Sequence, residues 1–277
     1  RAAASQRRLN EFLLTESTIQ PPAKPIEHQL QGAIEFSNVS FVYPHTGIKA
    51  LKHFSLQIKK GEKIAVIGRT GSGKTTIAQL LLRFYDPAEG EIKIDGVTLS
   101  QLNLQHYRSQ VSYIPQEVFL FSDSIANNIA FGSVSEADER IQSAAVSASV
   151  HKDIQSFPAG YQTMVGERGV TLSGGQKQRI SIARALVKDP GLIILDDCLN
   201  AVDARTEREI LTHLSGYLQN KTAIVITHRI FSLLQFDRII VMDDGYIAEQ
   251  GTHEELLKKQ GLYADLYNRQ QVEEARS

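Results

Sequence analysis

Eight consecutive residues constrain this chain more than any other feature: Gly68-Arg69-Thr70-Gly71-Ser72-Gly73-Lys74-Thr75. They follow an apolar run, Lys63–Ile67, and open a stretch to Tyr85 in which Ile77, Leu80, Leu81 and Phe84 recur at helical spacing and stop before Pro87. A strand, a glycine loop and a helix are therefore predicted in that order. Glycines let main-chain N–H groups approach a bound anion closely, and the start of the next helix offers the positive end of its dipole. Lys74 adds a point charge suited to the β- and γ-phosphates of a nucleoside triphosphate. The Thr75 hydroxyl is a ligand type for Mg²⁺ bridging the same oxygens, with Thr76 assisting at the helix start. A plain glycine turn before a helix is the bland alternative, but the flanking strand and helix are the context that the phosphate reading requires.

With 277 residues, 42% hydrophobic and 22% charged, the chain can bury a full core and is not largely disordered. A net charge of −1 leaves no broad basic surface to track a nucleic-acid backbone, so nucleic acid is not an expected partner. The single cysteine, Cys198, excludes an internal disulfide and fits a reducing compartment. No run approaches the roughly 20 apolar residues needed to span a bilayer, so this stretch of chain reads as soluble. Arg1 stands at the start of a helical stretch, Ala2–Leu14, which suggests a piece of something longer.

Residues 15–33, with Pro21, Pro22, Pro25 and Gly32, read as a linker. A strand-rich start follows at Ile34–Phe41 and Phe54–Ile58, with a Lys60-Gly61-Glu62 turn before Lys63–Ile67. Residues of about 123–188 read as mainly helical. Buried-strand runs return at Leu192–Leu195, Ala223–Ile226 and Ile239–Met242, alternating with helical stretches at Ala204–Leu218 and Ile230–Gln235. That alternation predicts an α/β fold with a mostly parallel sheet. Asp243-Asp244-Gly245 marks a hairpin turn, Thr252 with Glu255 a capping box, and the stretch after Gly261 a polar helix.

The strand Leu192–Leu195 ends in Asp196-Asp197, which places carboxylates at the carboxyl edge of the sheet, where α/β proteins bind ligands. Asp196 is the candidate Mg²⁺ carboxylate; a turn or cap residue is its bland alternative. Leu172-Ser173-Gly174-Gly175-Gln176, ahead of a helical stretch Lys177–Val187, is a second glycine-rich helix start able to bind phosphate. Because one loop already encloses the phosphates, the second is assigned to a nucleotide held by another subunit.

Taken in order, the glycine loop, Gln116 after the strand Val111–Ile114, Leu172–Gln176, Asp196, Asp203 and His228 resemble the nucleotide-binding domain of ATP-binding cassette (ABC) transporters. The resemblance implies a P-loop NTPase core, an N-terminal antiparallel β subdomain and a helical subdomain at about 123–188, all within 34–271. Residues 1–33 would then be the end of the last membrane-domain helix plus linker, and 272–277 a tail. It further implies ATP and Mg²⁺ as cofactors, Tyr43 stacking on adenine, and Gln116 completing the Mg²⁺ shell. Ser173, Gly174, Gly175 and Gln176 would face the partner's nucleotide, with Asp203 also at the nucleotide interface, and His228 would bond the γ-phosphate. Singly, Tyr43 reads as a half-buried strand residue, Gln116 as a loop amide and Asp203 as a helix cap. The implied partners are a second nucleotide-binding domain and the transmembrane domain of the same full-length protein. The implied place is the cytoplasmic face of a membrane, the inner membrane in a bacterium. Thr163–Gly169 is similar to the segment by which exporter-type members touch their membrane domains.

One position departs from the family. The residue after the strand-ending Asp is usually Glu, which polarises the attacking water; here it is Asp197, with a carboxylate retracted by roughly 1.5 Å. Cys198-Leu199-Asn200-Ala201-Val202-Asp203 also differs from the usual Ala-Thr-Ser-Ala-Leu-Asp. Slow hydrolysis in one half of a heterodimeric exporter is the resulting expectation, with a symmetric homodimer in which Asp still works left open. A soluble cassette ATPase of nucleic-acid maintenance and a nucleotide switch without catalysis are the competing classes.

Overall fold

Four stretches carry side chains that are buried on both faces, which only the interior of a covered sheet accommodates. They are β3 (Lys63–Gly68), β7 (Leu192–Asp196), β8 (Thr222–Ile226) and β9 (Arg238–Asp243). In the computed structural model, which describes residues 2–14, 17–133, 138–166, 171–199, 204–229 and 236–274, they form the centre of a six-stranded sheet. Its edges are β6 (Val111–Ile114) and β10 (Tyr246–Gly251), in the order β10-β9-β3-β8-β7-β6. Every pairing is parallel except β9 with β10. That exception is a two-residue hairpin at Asp244 and Gly245, both at positive φ, as the primed turn of a right-twisted hairpin requires.

Alternation along the central strands sends side chains to two cores. Ile64, Val66, Leu192, Ile194, Ile224 and Ile226 face one side, where they join an antiparallel sheet of β1 (Ile34–Val42), β2 (Lys49–Ile58), β4 (Glu89–Ile94) and β5 (Val97–Thr98), together with α2 (Lys74–Leu81). Ile193, Leu195, Ala223 and Val225 face the other side. There they meet α4 (Ile125–Ala130), α5 (Asp138–Ser147), α6 (His151–Ser156), α7 (Gly174–Val187) and α8 (Ala204–Tyr217). Ala65, Ile67, Ile239 and Val241 pack under α9 (His253–Lys259) and α10 (Leu262–Glu274). Each fully buried Ile, Leu or Val contributes about 1.5–3 kcal/mol, so this two-sided burial fixes the register. A mostly parallel sheet, an antiparallel sheet contributed by the N-terminal strands and a group of helices at 125–187 are the three parts expected from the sequence.

Three local readings are corrected. The helix after the glycine loop ends at Leu81, not Tyr85, because Arg83 takes a left-handed conformation (φ 51°) and closes a Schellman cap: Arg83 N–H donates to Leu80 O and Phe84 N–H to Gln79 O. The strand read as Phe54–Ile58 begins at Lys49, and the hairpin of β4 and β5 had no sequence reading. Its turn, Asp95-Gly96, again has positive φ at both residues. The helix read from Lys177 begins at Gly174, since Ser173 and Gln176 form a capping box.

The segment read as a linker is tied to the body of the domain. Asp95 accepts from Gln31 N–H at 2.7 Å and Ala33 N–H at 2.8 Å, and Gln110 bonds Leu30 N–H and His28 O. Gly32 lies so close to Thr222 that a Cβ would sit 2.3 Å from its hydroxyl oxygen. Beyond this segment, α1 (Ala2–Leu13) and Leu14 keep Leu9, Phe12, Leu13 and Leu14 exposed. Among the described residues, no helix is long and apolar enough to cross a membrane. The helical reading of Ile230–Gln235 lies outside the described residues, as do Asn200–Asp203 and part of Thr163–Gly169.

Candidate nucleotide-binding site

Parallel strands end on one edge, and this edge collects the site. Gly68 of β3 pairs with Met242, and Asp196 of β7 pairs with Ile226 of β8. Gln116 follows β6, and Thr227-His228 follow β8. Residues 116 to 228 positions into the chain are thus brought to the strand ends near the loop at 68–75.

The loop is built so that only glycine fits at two points. A Cβ on Gly68 (φ 150°) would lie 2.2 Å from Met242 O, and one on Gly73 (φ 95°) 2.4 Å from Ala50 O. Gly71 has open space around it and φ 81°, so its requirement is conformational. Arg69, Thr70 and Gly71 are exposed, whereas Ser72 is buried with a hydroxyl lacking a hydrogen-bond partner. Lys74 folds back over the loop, its Nζ donating to Gly68 O at 3.0 Å and Arg69 O at 2.8 Å. Burial pushes its pKa down, while Asp197 and Asp196 pull it up. Phosphate oxygens are stronger acceptors for an ammonium than carbonyls, so the arrangement is primed to exchange one set for the other.

Asp196 is 1% exposed. Thr75 Oγ1 donates to its Oδ1 at 3.1 Å, and Tyr113 OH donates to its Oδ2 at 3.2 Å. Tyr113, on β6, had no sequence reading; its only signal was alternation along the strand that leads to Gln116. Asp197 is also buried, with left-handed backbone (φ 50°) and its N–H bonded to Ile226 O at 2.8 Å. His228 Nε2 lies 3.8 Å from Asp197 Oδ2, beyond hydrogen-bond reach. Its pKa is lowered, by burial first and then by Lys74, so at neutral pH the ring is uncharged. The side-chain amide of Gln270 on α10 donates to His228 O and holds its backbone, a contact with no local sequence signal.

Thr75 and Asp196 offer hard oxygen donors of the kind Mg²⁺ takes. Among the described residues, no group of three or more His, Cys, Asp or Glu could hold a metal ion. A divalent ion here would draw most of its ligands from phosphate and water, which suits Mg²⁺. Burial pushes the Asp196 pKa up, against the Thr75 and Tyr113 hydrogen bonds. A raised folded value means that ionised Asp196 costs stability; the cost is absent below the unfolded value and grows as pH rises through the folded one. Asp196→Asn should therefore raise the melting midpoint of the nucleotide-free protein at pH 7. That gain should vanish below about pH 4. Calorimetry at both values checks this, and an equal gain at each would refute it.

The other sequence-derived residues fall in three places. Tyr43 OH lies 2.9 Å from Thr76 Oγ1 and donates to Gln79 Oε1 at 2.8 Å, with its ring edge-on to Phe41 and Tyr85. Gln116 is exposed in the loop after β6. Ser173 caps α7: its Oγ accepts from Gln176 N–H at 3.2 Å, and Ser173 N–H donates to Gln176 Oε1 at 3.0 Å. The N–H groups of Gly174 and Gly175, in the first turn, remain outside the intrahelical ladder. Asp153 on α6 steadies this end through Gln176 and Arg179. Among the described residues, no hydrogen bond joins residues 173–176 to the loop at 68–76. Asp203 lies outside the described residues.

Two phosphate-competent helix starts, the strand-end carboxylates and His228 occur in the order of one family, and the sequence model described as "ABC transporter" matches residues 51–200. The chain belongs to the ABC transporter family. It carries that family's ATP-binding domain. It is 45% identical over 98% of its length to the "Probable multidrug resistance ABC transporter ATP-binding/permease protein YheI" of Bacillus subtilis, covering 46% of that protein. It is 47% identical over 91% of its length to the human "Mitochondrial potassium channel ATP-binding subunit", covering 34% of it. Among solved structures, that of a bacterial Atm1-family ABC exporter with ATP bound matches with a TM-score of 0.89 at 39% identity, over 95% of this chain and 47% of the other. The chain thus spans less than half the length of each of these ABC proteins. The soluble nucleic-acid cassette is not favoured by these relatives.

Proposed function

We propose that this chain is the ATP-hydrolysing motor of an ABC exporter, closing on a second nucleotide-binding domain around MgATP and acting through the transmembrane domain of the same full-length protein. The observation that carries this reading is the division of phosphate-binding parts. The glycine loop, Thr75, Asp196, Asp197 and His228 gather at one sheet edge, while at the start of α7 Ser173 and Gly174 are exposed and Gly175 and Gln176 half-buried, with no hydrogen bond to that loop among the described residues. A helix start left open in this way completes a site on another copy or partner domain.

In that role, the amides of the loop and Lys74 bind the phosphates, and Thr75, Asp196 and Gln116 would hold Mg²⁺. The metal would neutralise charge at the phosphoryl oxygens. Tyr43 would meet the adenine, His228 would donate to the γ-phosphate, and Asp197 would orient water. Docking to a membrane domain is supported by a groove of about 320 Å³ whose rim includes exposed Phe119, Phe121 and Phe131 around Arg184. The exposed apolar face of α1 supports continuation into that domain. Such a placement puts the chain at the cytoplasmic face of a membrane. The relatives' names differ in what is moved, so no substrate is assigned.

Sedimentation with and without MgATP tests the shared site, using this chain alone and mixed with a second cassette domain of the same transporter. MgATP should drive association, and Ser173→Arg should weaken it about tenfold, since one unpaired bulky charge at an interface costs on the order of 1.4 kcal/mol or more. ATP binding to the unassociated chain should stay unchanged. Association that is indifferent to Ser173→Arg would defeat the reading.

A further inference from the structure

The Asp196 carboxylate is gripped from two elements. Thr75, at the start of α2, holds Oδ1, and Tyr113, on β6, holds Oδ2. Tyr113 pairs in register with Ile194, two positions short of Asp196 on the neighbouring strand, so its long side chain runs along the sheet to reach the strand end. Its ring packs on the same core as Tyr43 and Tyr85, which a phenylalanine ring would fill equally well. The hydroxyl therefore adds nothing to packing. Placed beside a carboxylate that is 1% exposed, it is tolerated because it bonds that group.

A carboxylate at a strand end has a free χ2 rotation unless both oxygens are engaged, and a metal site built from few protein ligands depends on each being held. We propose that Tyr113 is a positioning residue for the nucleotide-bound divalent cation: by occupying Oδ2 it keeps Oδ1 of Asp196 on the side of Thr75 and the glycine loop. The inference rests on the reading of this edge as a MgATP site and adds to it a residue that does not touch the nucleotide. Tyr113 is also three residues ahead of Gln116 in the same strand and loop, so it ties the β6 end to the β7 end across the site.

Tyr113→Phe tests this on the purified protein, with ATP affinity measured in Mg²⁺ and in EDTA. The hydroxyl deletion should cut the Mg²⁺-dependent gain in affinity about 3- to 10-fold, as expected for a hydrogen bond to a charged group, while affinity in EDTA stays within about twofold. Asp196→Asn should remove most of the gain, and the double variant should be no worse than Asp196→Asn alone. As a second readout, the paramagnetic resonance spectrum of Mn²⁺ bound with ADP should change in Tyr113→Phe. A Tyr113→Phe protein that keeps the full gain and the wild-type Mn²⁺ spectrum would overturn the proposal. So would one that loses affinity equally with and without Mg²⁺, which marks a general structural role. A wild-type protein that binds ATP without any Mg²⁺-dependent gain would instead overturn the site reading beneath it.

Discussion

Lys74→Ala should weaken MgATP binding by about 100-fold or more while the nucleotide-free protein melts within a few degrees of the wild type. Charge-assisted bonds from an ammonium to phosphate contribute about 1.5–3 kcal/mol each, and about 1.4 kcal/mol is a factor of ten. Lys74 bonds Gly68 O and Arg69 O, and burial lowers its pKa. Deleting the side chain thus removes two hydrogen bonds and a desolvated charge, two changes of opposite sign. Calorimetric titration with MgATP and a thermal melt separate the two effects. Retention of nucleotide at wild-type affinity would remove the basis of the motor reading.

Asp197→Glu should speed ATP turnover of the assembled transporter by about 10- to 100-fold, because misplacing a catalytic group by about 1 Å can cost about a hundredfold in rate. The backbone at Asp197 is fixed by its N–H bond to Ile226 O and by left-handed φ, so the carboxylate cannot advance by shifting the chain. It remains 3.8 Å from His228 Nε2, and the extra methylene would carry it roughly 1.5 Å farther out. Glutamate is less at ease than aspartate at positive φ, so the variant should lose up to about 1 kcal/mol of stability, visible as a slightly lower melting midpoint. Steady-state phosphate release is the measurement. Brisk wild-type turnover that the substitution leaves unchanged would show that the shorter side chain suffices and would favour a symmetric homodimer.

Much of the site was legible because its chemistry is contiguous in the chain. The loop at 68–75 declares itself through glycines that relieve clashes of 2.2 and 2.4 Å, and the second helix start through Gly174 and Gly175 ahead of a helical stretch, although its capping box did not. The central strands declare themselves as unbroken apolar runs, and the Asp244-Gly245 turn through residues that tolerate positive φ. Less legible were features whose partners are remote. The proline-rich stretch at 15–33 resembles a free linker because nothing nearby in sequence announces that Asp95, Gln110 and Thr222 hold it. The early stop of α2 at Leu81 depends on Arg83 adopting a conformation that its residue type does not predict.

By itself the sequence determined the phosphate-binding chemistry, the strand and helix periods and the departure at Asp197, since each follows from residue types at short spacings. Only the tertiary structure decided that Thr75 and Tyr113, 121 and 83 residues from Asp196, hold its two oxygens, and that His228 stops short of Asp197. Such contacts are set by the register of parallel strands, which depends on both cores packing at once and is therefore written nowhere in a local stretch of chain.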